Sequence, residues 1–344
     1  MPQHKRNTIL FTLLGISLIV FFMLNLSLGS VSIPFKDVFK SLTGGEVSKS
    51  TWEYIVLNYR LPKAITAIIV GMGLSISGLL MQTLFRNPLA GPYVLGLSSG
   101  ASLGVAFVIL GAGILPGAIA GFFLSPYGIV MASTLGSLIV LLAVLIVAQR
   151  LRDTMAILIV GLMFGSFTGA IVGVLTYFST AQQLQKFTFW SLGSLGNLSW
   201  NNIIIMAVAG VTGLLLAALS IKPLNALLLG ERYAKSMGIN FARTRFIIIM
   251  STSILAGSIT AFAGPIAFVG LAVPHIAKLI FRTSSHLVLF WATLLTGACI
   301  LLLCDTVTQL PGSDFTLPIN AVTSIIGAPV VIWLLLRKRK GVYS

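Results

Sequence analysis

Charge is what this sequence has least of. Among 344 residues only 7 are Asp or Glu and 22 are Lys or Arg, so charged side chains make up 8%, against about 25% in a soluble domain. Hydrophobic residues reach 57%, and mean hydropathy is +1.02. That balance excludes an ordinary water-soluble enzyme and a disordered chain, neither of which pairs so much apolar surface with so little charge. Cysteine is nearly absent too. Cys299 and Cys304 lie five apart in one apolar run, which turns them to different helix faces, too far apart to bridge. A disulfide scaffold is excluded, and both read as small core residues.

What is present is a series of long apolar runs. A spanning helix takes roughly 20 apolar residues, and ten runs qualify: 9–28, 62–85, 93–114, 127–148, 154–178, 201–221, 245–263, 266–281, 287–305 and 317–336. The first has a basic flank, His4-Lys5-Arg6, but is longer than a signal-peptide core and lacks a small-x-small cleavage site. It reads as a retained first helix. The spans predict an all-α, polytopic membrane protein with ten transmembrane helices.

Placing both termini in the cytoplasm puts sixteen cations inside and six outside. The outer six are Lys36, Lys40, Lys49, Arg60, Lys63 and Lys186. This asymmetry follows the positive-inside rule and absorbs the net +15 without a nucleic-acid partner. The 266–281 span is the weakest, because Pro265 and Pro274 bracket only a short apolar stretch and Pro removes a helix hydrogen bond. A similar break falls at Asn87-Pro88-Leu89-Ala90-Gly91-Pro92. Gly91-Pro92 followed by Gly96-Leu97 echoes Gly264-Pro265 followed by Gly270-Leu271 in segments of opposite direction, the mark of an inverted repeat.

Catalytic chemistry is missing. None of the seven acids sits mid-span: Asp37, Glu46, Glu53, Asp153, Glu231, Asp305 and Asp314 all lie in loops or at span ends. That disfavours a proton-coupled carrier. No Gly-Lys dipeptide occurs, so there is no G-x-x-x-x-G-K-[ST] phosphate loop, and any ATP must be hydrolysed by a partner. The three histidines have no metal-ligand spacing, and His275 after Pro274 reads as structural or interfacial. No metal or cofactor is expected, and no span pairs a nucleophile with a base.

Small residues recur at helix-packing intervals. Gly96, Gly100 and Gly104 form one ladder, and Gly161, Gly165, Gly169 and Gly173 another; each either packs helices closely or lines a smooth conduit. Two loops stand out. In Leu224 to Ile239, Gly230 separates two short helical pieces and Gly238 supplies a stop. Tyr233 and Met237, four apart, share a face, which suits a helix lying in a partner's groove or resting on the membrane. In Arg60-Leu61-Pro62-Lys63, Pro marks a helix start and two cations stand on the outer side, where they can pair with acids of an external protein or remain solvated.

Several motifs together resemble the FecCD family of permeases from ABC importers for iron-siderophores, haem and vitamin B12. They are Arg60-Leu61-Pro62-Lys63, Ser77-Gly78-Leu79-Leu80-Met81-Gln82, Arg86-Asn87-Pro88-Leu89-Ala90-Gly91-Pro92, Leu95-Gly96-Leu97-Ser98-Ser99-Gly100-Ala101, Leu229-Gly230-Glu231, Gly264-Pro265-Ile266-Ala267-Phe268-Val269-Gly270-Leu271 with Pro274-His275, and Leu317-Pro318-Ile319 with Gly327-Ala328-Pro329. The resemblance runs from about residue 55 to 337.

It implies a type II ABC importer permease fold: one domain over 1–344, with a first helix at 1–29, an outer loop at 30–59, a permease core at 60–337 and coupling helices at 224–240. It further implies two ATP-binding subunits inside, an external substrate-binding protein, and a second copy of the permease or a homologous one, in the bacterial cytoplasmic membrane. Arg60 and Lys63 match a docking pair for the binding protein. Leu224, Leu229, Gly230, Glu231, Tyr233, Ala234, Met237 and Gly238 match the ATPase-coupling loop. Asn87, Leu89, Asp153 and Thr154 match the cytoplasmic gate, with Gly161, Gly165, Gly169 and Gly173 along the pathway. The chain departs from the family pattern at Gln309, where the family often has Arg, and at Thr316 and Asn320, in place of Glu and Gly. The expected cargo is a ferric siderophore, with haem or cobalamin as alternatives. An ion-coupled secondary carrier is the competing class.

Overall fold

The computed structural model describes residues 3–111, 121–150, 154–196, 198–228, 230–309, 313 and 315–340. Helices follow in the order α1 Gln3–Ser27, α2 Phe35–Thr43, α3 Ser50–Ile55, α4 Leu61–Leu84, α5 Leu97–Ile109, α6 Pro126–Arg150, α7 Thr154–Tyr177 and α8 Ala181–Ser191. After them come α9 Trp200–Leu219, α10 Ile221–Leu227, α11 Glu231–Ser236, α12 Phe241–Ala263, α13 Val269–Phe281, α14 His286–Thr308 and α15 Ile319–Lys340. Among the described residues seven helices are long and apolar enough to cross a membrane, and three shorter apolar stretches lie in α5, α13 and α15. The protein is an all-α polytopic membrane protein.

Helix α4 is the axis of the bundle. Its span is 78% buried inside the protein while that of α1 is 11% buried, so α1 lies at the rim against lipid. Close approach explains the centre. A Cβ on Gly71 would collide with the carbonyl of Gly297 on α14, one on Gly297 with the carbonyl of Gly71, and one on Gly78 with the carbonyl of Gly270 on α13. Without side chains at these points the backbones touch, which is how membrane helices gain packing energy when lipid removes the hydrophobic drive.

Two expectations are corrected. Residues 30–59 are not a plain loop: they hold α2 and α3, and α3 runs through one π turn, Val56–Arg60, into α4 as a continuous helix. Pro62 stands at the first positions of α4, as expected, but the helix is entered through this π turn and not from a loop. The π turn shifts the bonding, with Leu61 N–H reaching Val56 O, so the chain absorbs the donor that Pro62 lacks. Similarly, Pro274 does not break the 266–281 span: α13 passes through it. The carbonyl that Pro274 leaves free belongs to Gly270, and Gln82 Nε2 on α4 donates to it at 3.4 Å and to Leu271 O at 3.1 Å.

The two irregular segments meet inside the bundle. Ile266 N donates to Tyr93 Oη at 3.4 Å, His275 Nε2 bonds Pro88 O at 2.9 Å, and Gly91 lies against Leu271. Non-helical backbone at membrane depth is tolerable only when protein covers it, and here each break covers the other. His275 has the structural place expected of it.

Candidate functional site

Polar side chains gather at the two ends of the α4–α14 pair. At one end, where α1 finishes, α4 begins and α14 finishes, a cavity of about 660 Å³ is lined by Tyr59, Arg60, Lys63, Asp305, Gln309 and Thr316 among others. Asp305 is its hub. It is 1% exposed and pairs with Lys63 Nζ at 3.1 Å. Its Oδ2 accepts from Asn25 Nδ2 at 2.9 Å and from Gln309 Nε2 at 3.2 Å. A carboxylate taken out of water is stable only when its lone pairs are met in this way.

Arg60 differs from the expectation. It is not an outward cation but 7% exposed, with Nη1 donating to Leu26 O at 2.7 Å and to Ser27 O at 2.8 Å, and Nη2 to Val31 O. The last turn of α1 leaves carbonyls without helical partners, and Arg60 satisfies them. Lys63 keeps a partly open side chain but is committed to Asp305. The departures also find places. Gln309 serves Asp305, Thr316 lines the cavity, and Asn320 Oδ1 accepts from Ala267 N at 3.0 Å, bracing the second break.

At the opposite end a cavity of about 620 Å³ is lined by Gln82, Thr83, Arg86, Lys278, Arg282 and His286 among others. Arg86 and Arg282 have positive φ, both 48°, the left-handed turn that usually costs a non-glycine residue about 1–2 kcal/mol. His286 is 3% exposed. Its Nε2 lies 3.1 Å from Thr83 Oγ1, and Asn225 Oδ1 is 2.8 Å from its backbone N and 3.1 Å from Nδ1.

The Leu224–Gly238 loop folds as expected into two short helices, joined through Gly230 at φ 106° and closed by Gly238 at φ 81°. Leu224 and Ala234 are buried while Tyr233 and Met237 are exposed side by side, so the loop anchors one face and offers the other. Glu231 opens α11. Leu229 and Asp153 lie outside the described residues; Thr154 begins α7. Asn87 Oδ1 accepts from Leu89 N at 2.9 Å, a local turn that leaves Leu89 exposed.

The two glycine ladders separate. Gly100 and Gly104 press α5 onto Gly136 and Ala132 of α6, so they pack helices. On α7, Gly165 lies near Ser99 Oγ and the carbonyl of Gly161 near Gly96, while an added Cβ at Gly169 or Gly173 would meet nothing within 4 Å. That half of α7 is open, with Met163, Phe167 and Val174 also exposed. Among the described residues, no group of three or more His, Cys, Asp or Glu could hold a metal ion. Sequence reasoning missed Asn25, Asp305 and His286 as hubs. Their signal was slight: a polar residue near the end of an apolar run, or at its first position.

An apolar many-helix bundle with a polar cavity at each end of its central helix pair suits a transport protein. The chain belongs to the FecCD transport family, whose model matches residues 17–337. It is 34% identical over 332 residues to the hemin transport system permease protein HmuU of Yersinia pestis, covering 95% of this chain and 96% of that protein. With the vitamin B12 import system permease protein BtuC of Klebsiella pneumoniae it shares 36% identity over 296 residues, 86% of each. A solved structure described as an inward-facing metal-chelate type ABC transporter superposes with a TM-score of 0.81 at 28% identity, covering 95% of this chain and 99% of the other.

Proposed function

We propose that this chain is the permease subunit of a bacterial ABC importer that carries a metal chelate into the cytoplasm, with ATP hydrolysed by partner subunits. The similarity, over 95% and 86% of the chain, to a hemin transport permease and a vitamin B12 import permease is the observation that carries this reading. The Lys63 end faces outward and receives an external binding protein. The His286 end faces the cytoplasm with both termini, and its exposed Tyr233 and Met237 enter the groove of an ATP-binding subunit. A second copy, or a homologous permease, covers the open face of α7 to enclose a conduit along Gly169 and Gly173. Asn87 and Leu89, with Asp153 and Thr154, close it toward the cytoplasm. In the docking pair, Lys63 makes the contact and Arg60 holds the surface beneath it.

Ferric siderophore is the cargo we place first. The open face of α7 offers apolar side chains and glycine with no charge, the weak, general contacts that suit a bulky chelate whose metal is held by its own ligand. Haem and cobalamin, which the relatives transport by their names, are the second reading. Proteoliposomes holding the permease and its ATPase decide it, with uptake of radio-iron siderophore measured in competition with haem and cobalamin. ATP-dependent siderophore uptake supports the reading. Uptake driven by an ion gradient with no ATPase present overturns the importer, and exclusive haem or cobalamin uptake overturns the cargo.

A further inference from the structure

We propose that α4 and α14 form a single beam that carries displacement of the α10–α11 loop to the Lys63 cavity, and that His286 is the positioning residue joining loop to beam; this rests on the reading of α10–α11 as the ATPase site. The two helices are fastened at three levels. Thr83 and His286 meet at one end, the backbones of Gly71 and Gly297 touch midway, and Lys63 pairs with Asp305 at the other end. Sliding one helix against the other would break all three at once, and interdigitated contacts of this kind switch between discrete arrangements rather than deform continuously.

The junction with the loop is equally specific. Helix α10 has seven residues, too few to hold itself. Its Asn225 reaches α14 at the first turn, where Ser285 makes no side-chain cap. Asn225 Oδ1 takes the backbone N–H of His286, so the loop caps α14 in place of α14's own residue. Because that oxygen is an acceptor, the ring Nδ1 facing it at 3.1 Å carries a proton. Nε2 is then free to accept from the Thr83 hydroxyl, which also has Leu79 O within reach at 2.9 Å. Arg86 Nη2 adds a second tie, to Leu227 O at 3.4 Å. The end of α10 is therefore bonded to α14 and to the turn that follows α4.

The test uses the complete transporter in proteoliposomes and reads ATP hydrolysis with and without the external binding protein, and cargo taken up per ATP. His286→Leu is expected to assemble with the ATPase and keep its basal hydrolysis while stimulation by the binding protein falls on the order of tenfold, the scale of one site-to-site coupling. Thr83→Val, which removes one hydroxyl and little volume, is expected to lower stimulation in the same direction. The double variant is expected to be no worse than His286→Leu, because both act through one bond. Asn225→Asp, which keeps the acceptor oxygen, is expected to stay coupled while Asn225→Leu does not. Wild-type stimulation and uptake per ATP in both His286→Leu and Thr83→Val, or losses that multiply in the double variant, overturn the beam. Failure of the underlying reading looks different: Tyr233→Cys and Met237→Cys would then form no cross-link to the ATPase in an otherwise unaltered chain.

Discussion

The two ends of the α4–α14 pair solve one problem, joining helices through polar groups away from water, by opposite means. The Asp305 end uses full charges, Asp305 against Lys63, with Asn25 and Gln309 meeting the remaining lone pairs. The junction at the His286 end is not an ion pair: a ring, an amide and a hydroxyl make its central bonds, with Arg86 donating to the Leu227 carbonyl beside them. A charged junction is costly to break because the survivor remains buried and unpaired. A neutral one loses about one hydrogen bond and can be remade. The fixed end is therefore the one that holds α1, and the yielding end is the one that meets the α10–α11 loop.

Removing charge from the first end should give the largest effect. Asp305→Leu leaves Lys63 without its ion partner and Gln309 without this acceptor, and is expected to cost about 3 kcal/mol in detergent unfolding, the low end for breaking such a pair because the Lys63 side chain is 20% exposed. Adding Lys63→Met should restore most of that loss, and a double variant as unstable as the single would show that the pair is not the source. Next comes the contact shared by both ends. Gly71→Val drives a side chain into the Gly297 carbonyl, with an expected loss of about 1–3 kcal/mol, while Gly173→Ala, in open space, should leave the thermal midpoint unchanged. At the neutral end, deleting the cap that Asn225 gives α14 should cost about 1 kcal/mol, so an Asn225→Leu chain as damaged as Asp305→Leu would erase the contrast between the ends.

The smallest effect belongs to a carboxylate in neither junction. Ser48 donates to Asp37 Oδ1 from its backbone N at 3.0 Å and its hydroxyl at 2.8 Å, and the backbone bond, then the side-chain bond, hold the Asp37 pKa below its ordinary value. A carboxylate with a depressed folded pKa contributes stability that is fully present above its unfolded pKa of about 3.9 and disappears as pH falls through the folded value. A pH titration of unfolding should show a shallow acid loss that Asp37→Asn removes.

Much of the fold was legible. Hydropathy alone gave the ten apolar helices, and Gly230 and Gly238 marked the ends of α11 because only a residue without Cβ takes those turns cheaply. Continuity through Pro274 and Pro62 was not legible: the rescue comes from Gln82, nearly 190 residues away, and from a π turn with no sequence signature. The site was read in part. The exposed pair Tyr233 and Met237 follows from helical spacing, whereas the burial of Arg60 depends on where α1 happens to end. Ladders of glycine look alike in sequence, and only the neighbour across the gap separates the packed one on α5 from the half-open one on α7.

The first helix has a consequence for synthesis. It is the least buried of the seven long apolar helices described, and beyond the Arg60 bonds at its end its ties come from the far end of the chain: Asn25 to Asp305 across 280 positions and Arg6 to Phe281 across 275. At a translation rate of about 5–20 residues per second, α1 must wait in the bilayer for roughly 15–60 s before any of these partners exists. Until then only Arg60 and its own apolar length hold it. A ribosome stalled before α13 would therefore leave the earlier helices inserted and the first one without its two distant ties.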